Sequence, residues 1–294
     1  MLSVLVPIYN FDASEFVREI SLQAVAANVI FEIRCYDDGS AEKFKNINSQ
    51  KLPVIPAVIY RELPENIGRS RIRNLLAKEA LYDFLLFVDC DLQITNPFFI
   101  SNYLKQLDKN KILCGGISYQ SAPPADPRLM LRWKYGRKRE SIPVLQRTKL
   151  VYKSFMTSNF VMPKQLALTF KFNEDISGYG HEDTLLGIEL NKNHIPVLHL
   201  DNALCHLGLE SAEEFLKKTE EGIRNLSVLM KNGLKNADIR LLRTYNFLSS
   251  SGLKYFFLLL FFPAEKIILR NLRSAYPSIL LFNAYKLGVL CRLM

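Results

Sequence analysis

Hydrophobic residues in this chain fall into short continuous runs, separated by polar turns and by longer stretches with helical spacing. Phe84–Val88 is one uninterrupted apolar run, the pattern of a strand buried on both faces of a sheet, and Asp89-Cys90-Asp91 comes directly after it. Leu2–Ile8 is a second such run and passes into Pro7-Ile8-Tyr9-Asn10; Phe31–Tyr36 is a third and ends in Asp37-Asp38-Gly39-Ser40. Pro53–Tyr60 predicts a further strand. Ser14 caps a predicted helix that turns Phe16, Ile20 and Ala24 to one side. The turn Glu65-Asn66-Ile67-Gly68 opens another helix, with Ile72, Leu75, Leu76 and Ala80 inward. Strands alternating with helices predict an α/β domain built on a mostly parallel, helix-covered sheet.

Further along, Pro97 starts a short helix to about Leu107, and Ile112–Ile117 is a strand interrupted by Gly115-Gly116. Ser121–Lys149, rich in Pro, Arg and Lys around Trp133, reads as an irregular loop or lid. Thr157–Met162 precedes Gly178-Tyr179-Gly180-His181-Glu182-Asp183, which opens a helix through Leu190. Ile195–Leu200 is the last predicted strand, with Cys205-His206 just beyond it. Ser211-Ala212-Glu213-Glu214 is a capping box for a helix to about Lys231, with Gly233 as its stop. The chain therefore divides into a domain over residues 1–210 and a helical extension over residues 211–294.

Composition narrows the class. With 294 residues, 49% hydrophobic and 23% charged, the chain has an ordinary globular make-up and enough length for a full core. Its five cysteines show no Cys-x-x-Cys spacing, which suits a reducing compartment and argues against structural zinc. The N-terminal residues lack the basic leader of a signal peptide, so a cytoplasmic location is expected. The net charge of +9 is uneven: from Ile239 onward eight basic residues face the single acid Glu265. Those charges alternate with long apolar runs, which favours an anionic membrane surface over nucleic acid as partner.

The candidate chemistry is acidic. Asp37 and Asp38, Asp89 and Asp91, and Glu182 with Asp183 all stand at strand ends or a helix start. In a parallel sheet the loops after the strands gather along one edge, so these carboxylates are expected to meet in one cleft. Asp89 and Asp91, one residue apart, can share a cation or divide a cation and a sugar hydroxyl. His206 comes after the strand that succeeds the Glu182 helix and is a candidate second metal ligand; an imidazole in the set suits Mn²⁺ better than Mg²⁺. On residue type alone, His181, His194 and His199 read as structural.

Taken in order, Val6-Pro7-Ile8-Tyr9-Asn10, Asp37-Asp38-Gly39-Ser40, Asn66-x-Gly68 with Arg73-Asn74, Asp89-x-Asp91 and Gly178-Tyr179-Gly180-His181-Glu182-Asp183 resemble the family 2 glycosyltransferases of bacteria. The resemblance spans about Met1–Gly208 and implies the GT-A fold. It also implies a nucleotide-diphosphate sugar donor, most often a UDP-sugar, a divalent cation, and transfer of a hexosyl or N-acetylhexosaminyl group with inversion. Carried over by position, Pro7, Tyr9 and Asn10 line the nucleotide pocket, Asp38 meets the base with Asp37 beside it, and Arg73 lies near the diphosphate. Asp89 approaches the ribose or sugar, while Asp91 and His206 hold the metal. Asp183 is the general base, and Glu182, Gly180 and His181 belong to the acceptor side. This chain departs from the pattern in having His181 where relatives often have Gly, and Cys90 inside the acidic pair.

The expected activity is transfer to a hydroxyl of a glycan or lipid-linked acceptor. A non-catalytic nucleotide-sugar or glycan-binding relative is the alternative. A haloacid-dehalogenase-type phosphatase, which also places Asp-x-Asp after a strand, fits poorly because Gln93 stands where that family has Thr or Val and the pair lies far from the N-terminus. In the tail, Tyr255–Phe262 is too short for a bilayer span of about 20 residues. Lys266, Arg270 and Arg273 recur at helical spacing opposite Ile268 and Leu272. A helix pair lying on the cytoplasmic leaflet is expected, which makes the protein peripheral.

Overall fold

The computed structural model describes residues 1–175, 178, 180–231 and 239–294. Tyr179 of the glycine-rich motif and the helix stop Gly233 lie outside the described residues. Chain contacts divide the protein into two compact units.

The first unit opens with β1 (Leu2–Ile8), α1 (Ser14–Ala26), β2 (Phe31–Asp37), α2 (Glu42–Lys51), β3 (Val58–Glu62), α3 (Arg69–Glu79) and β4 (Phe84–Val88). Two short strands, β5 (Leu92–Gln93) and β7 (Ile117–Ser118), flank α4 (Phe99–Leu104) and β6 (Ile112–Cys114). After α5 (Met130–Arg139), which belongs to the second unit, come α6 (Val144–Arg147), β8 (Asn159–Pro163), α7 (Lys164–Thr169), α8 (Glu182–Lys192), β9 (Val197–His199) and β10 (Leu204–His206).

Seven strands form one sheet in the order β3-β2-β1-β4-β8-β6-β9. All neighbours run parallel except β8, which is antiparallel to both β4 and β6. β4 lies at the centre, Leu5 opposite Phe87 on one side and Val88 opposite Asn159 on the other. Leu85–Val88 are all buried, as a run covered on both faces requires. The Phe87 and Phe160 rings stack at 4.6 Å, with Phe172 edge-on to both. A small second sheet, β5-β10-β7, sits beyond the end of β4 and carries His206.

Several expectations change here. α2 is not among the predicted elements because Glu42–Lys51 has almost no apolar stripe and buries only Asn48. The strand expected over Pro53–Tyr60 begins at Val58, after that helix has ended. Ser14 starts α1 but does not cap it; Asp12 Oδ1 accepts from both Ser14 N and Ser14 Oγ instead. Ile112–Ile117 splits at its glycines into β6 and β7, which join different sheets. His206 lies within a strand rather than past the last one.

The expected irregular lid over Ser121–Lys149 is largely helical. Leu131 and Tyr135, one helical turn apart on α5, pack into the second unit's core, Tyr135 against Phe215 and Phe282. On the first unit's side, the buried Arg147 guanidinium is satisfied by carbonyls rather than by a carboxylate. It donates to Ile142, Cys114, Gly115 and Leu200 and meets His199 Nδ1 at 3.0 Å, so His199 sits in this buried hydrogen-bond network.

The second unit is helical: α5 with α9 (Ala212–Lys231), α10 (Arg240–Ser250), α11 (Lys254–Leu272) and α12 (Ile279–Leu293). The capping box forms as expected, Glu214 N donating to Ser211 Oγ and Ser211 N to Glu214 Oε2. The tail helices do not act as a surface pair. α12 buries Ile279, Phe282, Tyr285 and Leu287–Cys291, so it is a core helix of this unit. Among the described residues no helix is long and apolar enough to cross a membrane.

Candidate active site

The nucleotide-side residues cluster on the loops after β1 and β2. Asn10 holds φ +52° and ties the two loops together: its N–H donates to Ser40 Oγ and its Oδ1 accepts from Ala41 N, each at 2.8 Å. Tyr9 is 54% exposed and Pro7 is half-buried. Asp37 accepts from Ser40 N at 2.7 Å through Oδ1, while its Oδ2 is buried with no hydrogen-bond partner among the described residues. Asp38 spans the start of the next loop, accepting from Ile67 N at 2.7 Å and Gly68 N at 3.1 Å. Burial raises the Asp38 pKa despite those two donors. Gly39, at φ +73°, lets this crossing happen: a Cβ there would lie 2.6 Å from Asn66 N.

At the end of β4, Asp89 and Asp91 take different partners. Arg73, only 2% exposed, sets its Nη2 2.5 Å from Asp89 Oδ1, and its guanidinium lies over the Phe172 ring. Arg73 is thus committed to Asp89 in this structure. Burial works against the Asp89 charge, but Arg73 and Arg69 outweigh it and hold the carboxyl below its ordinary pKa. Asp91 faces His206, Nε2 to Oδ2 3.4 Å. Burial raises the Asp91 pKa, with Asp89 adding to the effect and His206 opposing it.

These two side chains, Asp91 and His206, are the candidate metal ligands. Gly208 approaches so closely that a Cβ would stand 2.3 Å from Asp91 Oδ2, so the carboxylate needs a residue without a side chain there. His206 stacks on Tyr119 at 5.3 Å, and its Nδ1 is buried with no hydrogen-bond partner among the described residues. One carboxylate and one imidazole fit a borderline cation that draws its other ligands from elsewhere. Among the described residues no group of three or more His, Cys, Asp or Glu side chains is placed to hold a metal.

The acceptor-side pair begins α8. Glu182 is buried, with Oε1 2.7 Å from Arg69 Nε. Burial would raise its pKa, but Arg69 and then Arg73 hold it below the ordinary carboxylate range. Asp183 accepts from Thr184 N at 2.7 Å. Burial, and next the charge on Glu182, push its pKa up to about 6. Immediately before Glu182, Gly180 has φ +100° and His181 φ +74°. A left-handed backbone at residue 181 accounts for glycine being the common choice there, and histidine is among the side chains that tolerate it better than most.

Arg69 escaped the sequence reading. It lies 3.5 Å from Asp89 and 2.7 Å from Glu182, and so joins the β4 carboxylates to the α8 pair. A signal was present: Arg69 and Arg73 are one helical turn apart, and two like charges on one helix face are unfavourable unless acids stand opposite. Tyr119 was missed as well. It stacks on His206 and its hydroxyl donates to Glu140, whose charge is one of those raising the Asp183 pKa. Neither residue lies in a recognisable motif.

A central sheet whose strand ends carry an acidic pair, preceded by nucleotide-side loops and succeeded by a second acidic pair on a helix, is the arrangement of a GT-A fold. The model for "Glycosyl transferase family 2" matches residues 3–165, more than half of the chain, and the protein belongs to that family. Hyaluronan synthase of Pasteurella multocida is 27% identical over 129 residues, 43% of this chain and 13% of that protein. The chain thus spans only a small part of that relative's length. Among solved structures, S. aureus TarS 1-349 aligns with TM-score 0.57 and 18% identity over 99% of this chain and 89% of that one. The same protein in complex with UDP-GlcNAc aligns at 0.54, with 18% identity over 99% of this chain and 90% of that one. Mannosyltransferase PcManGT of Pyrobaculum calidifontis, in complex with GDP-Man and Mn²⁺, aligns at 0.53 with 14% identity over 79% of this chain and 64% of that one. At these identities the structures establish the fold.

Proposed function

We propose that the protein is an inverting glycosyltransferase that moves a hexosyl or N-acetylhexosaminyl group from a UDP-sugar to a hydroxyl of a glycan or lipid-linked acceptor. The observation that carries this reading is Arg69 held between Asp89 and Glu182, which brings the β4 and α8 carboxylates to one place. The family and the UDP-GlcNAc complex of TarS support the donor class.

In this reading Tyr9 offers its exposed ring to the base, and Asp37 offers its unpartnered oxygen to a base or ribose donor beside Asp38. Asp89, fixed by Arg73, meets the sugar. Asp183 accepts the acceptor's hydroxyl proton as that oxygen forms its bond to the anomeric carbon, whose bond to the diphosphate oxygen breaks; nucleoside diphosphate leaves with the electron pair. A base with a pKa near 6 is largely ionised at neutral pH and still basic enough to take a proton. Glu182, kept ionised by Arg69, binds an acceptor hydroxyl, with Gly180 and His181 shaping that side. Asp91 and His206 would hold a divalent cation, Mn²⁺ in preference to Mg²⁺ given the imidazole. When bound, such a cation supplies Lewis-acid stabilisation to the departing diphosphate. The same reading places the protein on the cytoplasmic face of a membrane, where lipid-linked acceptors are found.

Calorimetric titration with a panel of nucleotide sugars and with UDP, with and without Mn²⁺, is the direct test. Metal-dependent binding of a UDP-sugar is expected; if no nucleotide or nucleotide sugar binds in either condition, the donor assignment is wrong.

Arg69 carries its own prediction. Arg69→Ala should lower kcat/KM by roughly 10- to 100-fold, the range set by losing a charge-assisted hydrogen bond worth about 1.5–3 kcal/mol. Because Arg69 lowers the pKa of Asp183, its loss should also move the acid limb of the pH–rate profile upward. An unmoved limb would leave Arg69 as packing only.

A further inference from the structure

We infer that α11 docks the protein onto an anionic bilayer through one defined face. This goes beyond the proposed membrane location by naming the contacting surface, and it stands whether or not the site transfers sugar.

α11 has two apolar sides. Phe261, Ile268 and Leu272 point into the second unit's core. The opposite side carries Phe256 at 60% exposure, Leu259 at 69%, Leu260 at 57% and Ile267 at 71%, with exposed Pro263 among them. Positions 256, 259, 260, 263 and 267 keep helical spacing, so they form one continuous stripe. Isolated exposed hydrophobic residues need no explanation, but a contiguous row marks a contact surface. Lys266 and Arg270, both exposed, border the stripe, and exposed Arg273 stands one turn beyond Arg270, 3.8 Å from Glu213 of α9.

The charge pattern selects the occupant. Glu265 is the lone acid from Ile239 to the end, and it is mostly buried and paired with Arg292 at 3.3 Å. The stripe is therefore bordered on α11 by the cations Lys266 and Arg270, with Glu213 of α9 beside Arg273 at its far end. A two-fold dimer through this surface would set Lys266 and Arg270 against their own copies, with no acid on the exposed side of α11 to offset them. Anionic headgroups answer both features at once: the stripe enters the headgroup and acyl boundary while Lys266, Arg270 and Arg273 meet lipid phosphates. Pro263 agrees with a helix lying in that plane, since it leaves the Leu259 carbonyl without its helical donor, tolerable where interfacial water reaches.

Cosedimentation of the full chain with vesicles tests this. Wild type should bind phosphatidylcholine vesicles containing about one-third phosphatidylserine roughly tenfold more tightly than pure phosphatidylcholine, and added salt should weaken that binding. The variant Phe256→Ser/Leu260→Ser/Ile267→Ser should lose binding by roughly tenfold or more. Lys266→Glu/Arg270→Glu should abolish the preference for anionic lipid. All these positions are exposed, so circular dichroism, thermal melting and UDP titration should match wild type. Equal vesicle binding by wild type and the triple variant would overturn the proposal. So would concentration-dependent self-association of wild type that the triple variant removes, which would make the face an interface between copies. Loss of UDP binding in wild type would instead count against the glycosyltransferase reading and leave the docking face standing.

Discussion

Asp183→Asn should leave nucleotide-sugar binding intact and reduce transfer by roughly 10²–10⁴-fold, the usual contribution of a general base. The substitution is nearly isosteric, and an Asn side-chain oxygen can still accept from Thr184 N, so the start of α8 keeps its geometry. The ability to take a proton disappears. The pH dependence comes from the same group. Burial and the Glu182 charge raise Asp183 to about 6, and the base works only when deprotonated, so wild-type kcat/KM should fall about tenfold per unit as pH drops below that value. Glu182, held low by Arg69, stays ionised through this window and does not contribute to the limb. Stability should move the other way. A carboxyl whose pKa is raised on folding favours the native state when protonated and disfavours it as pH rises through the folded value. At neutral pH, removing that charge should leave the variant melting no lower than wild type. Steady-state kinetics, donor titration and thermal melting of one preparation check all three expectations. Near-normal turnover with normal donor affinity would remove Asp183 from the role of base.

Asp91→Ala should weaken Mn²⁺-dependent donor binding by roughly 100-fold or more, because only one side chain of the candidate pair would remain. Its structural cost should be small. In the wild type burial raises the Asp91 pKa, so the charge is unfavourable to the fold until something neutralises it, and His206 at 3.4 Å does so incompletely. Gly208→Ala tests the same point without deleting a donor atom: its Cβ would meet Asp91 Oδ2 at 2.3 Å, so the carboxylate must move. Both variants should fold, and both should lose the difference between titrations of UDP with and without Mn²⁺. Retention of that difference in Asp91→Ala would show that the cation is held elsewhere.

The acidic strand ends were readable because buried strands announce themselves as unbroken apolar runs. Phe84–Val88 and Leu2–Ile8 both appear as the strands their composition predicts, and the polar residue after each run is forced to the sheet edge. α2 shows where this signal fails, since a helix that buries little apolar surface has no period to detect. α12 fails in the opposite direction. A helix apolar on nearly all sides looks the same in sequence whether lipid or protein surrounds it, and here the surroundings are α5, α9, α10 and α11.

The residue types of the candidate site, and their order along the chain, came from the sequence alone, because local patterns decide where a strand stops and which polar residues come next. Tertiary structure decided how those residues are employed. Arg73, expected near a diphosphate, is spent on Asp89, while Arg69, which belongs to no motif, joins Asp89 to Glu182 across more than ninety residues of chain. The upward shift of Asp183 likewise depends on burial and on charges from other elements, none of which a local pattern encodes. Such pairings depend on the sheet order and on long-range packing, and they exist only once the chain has folded.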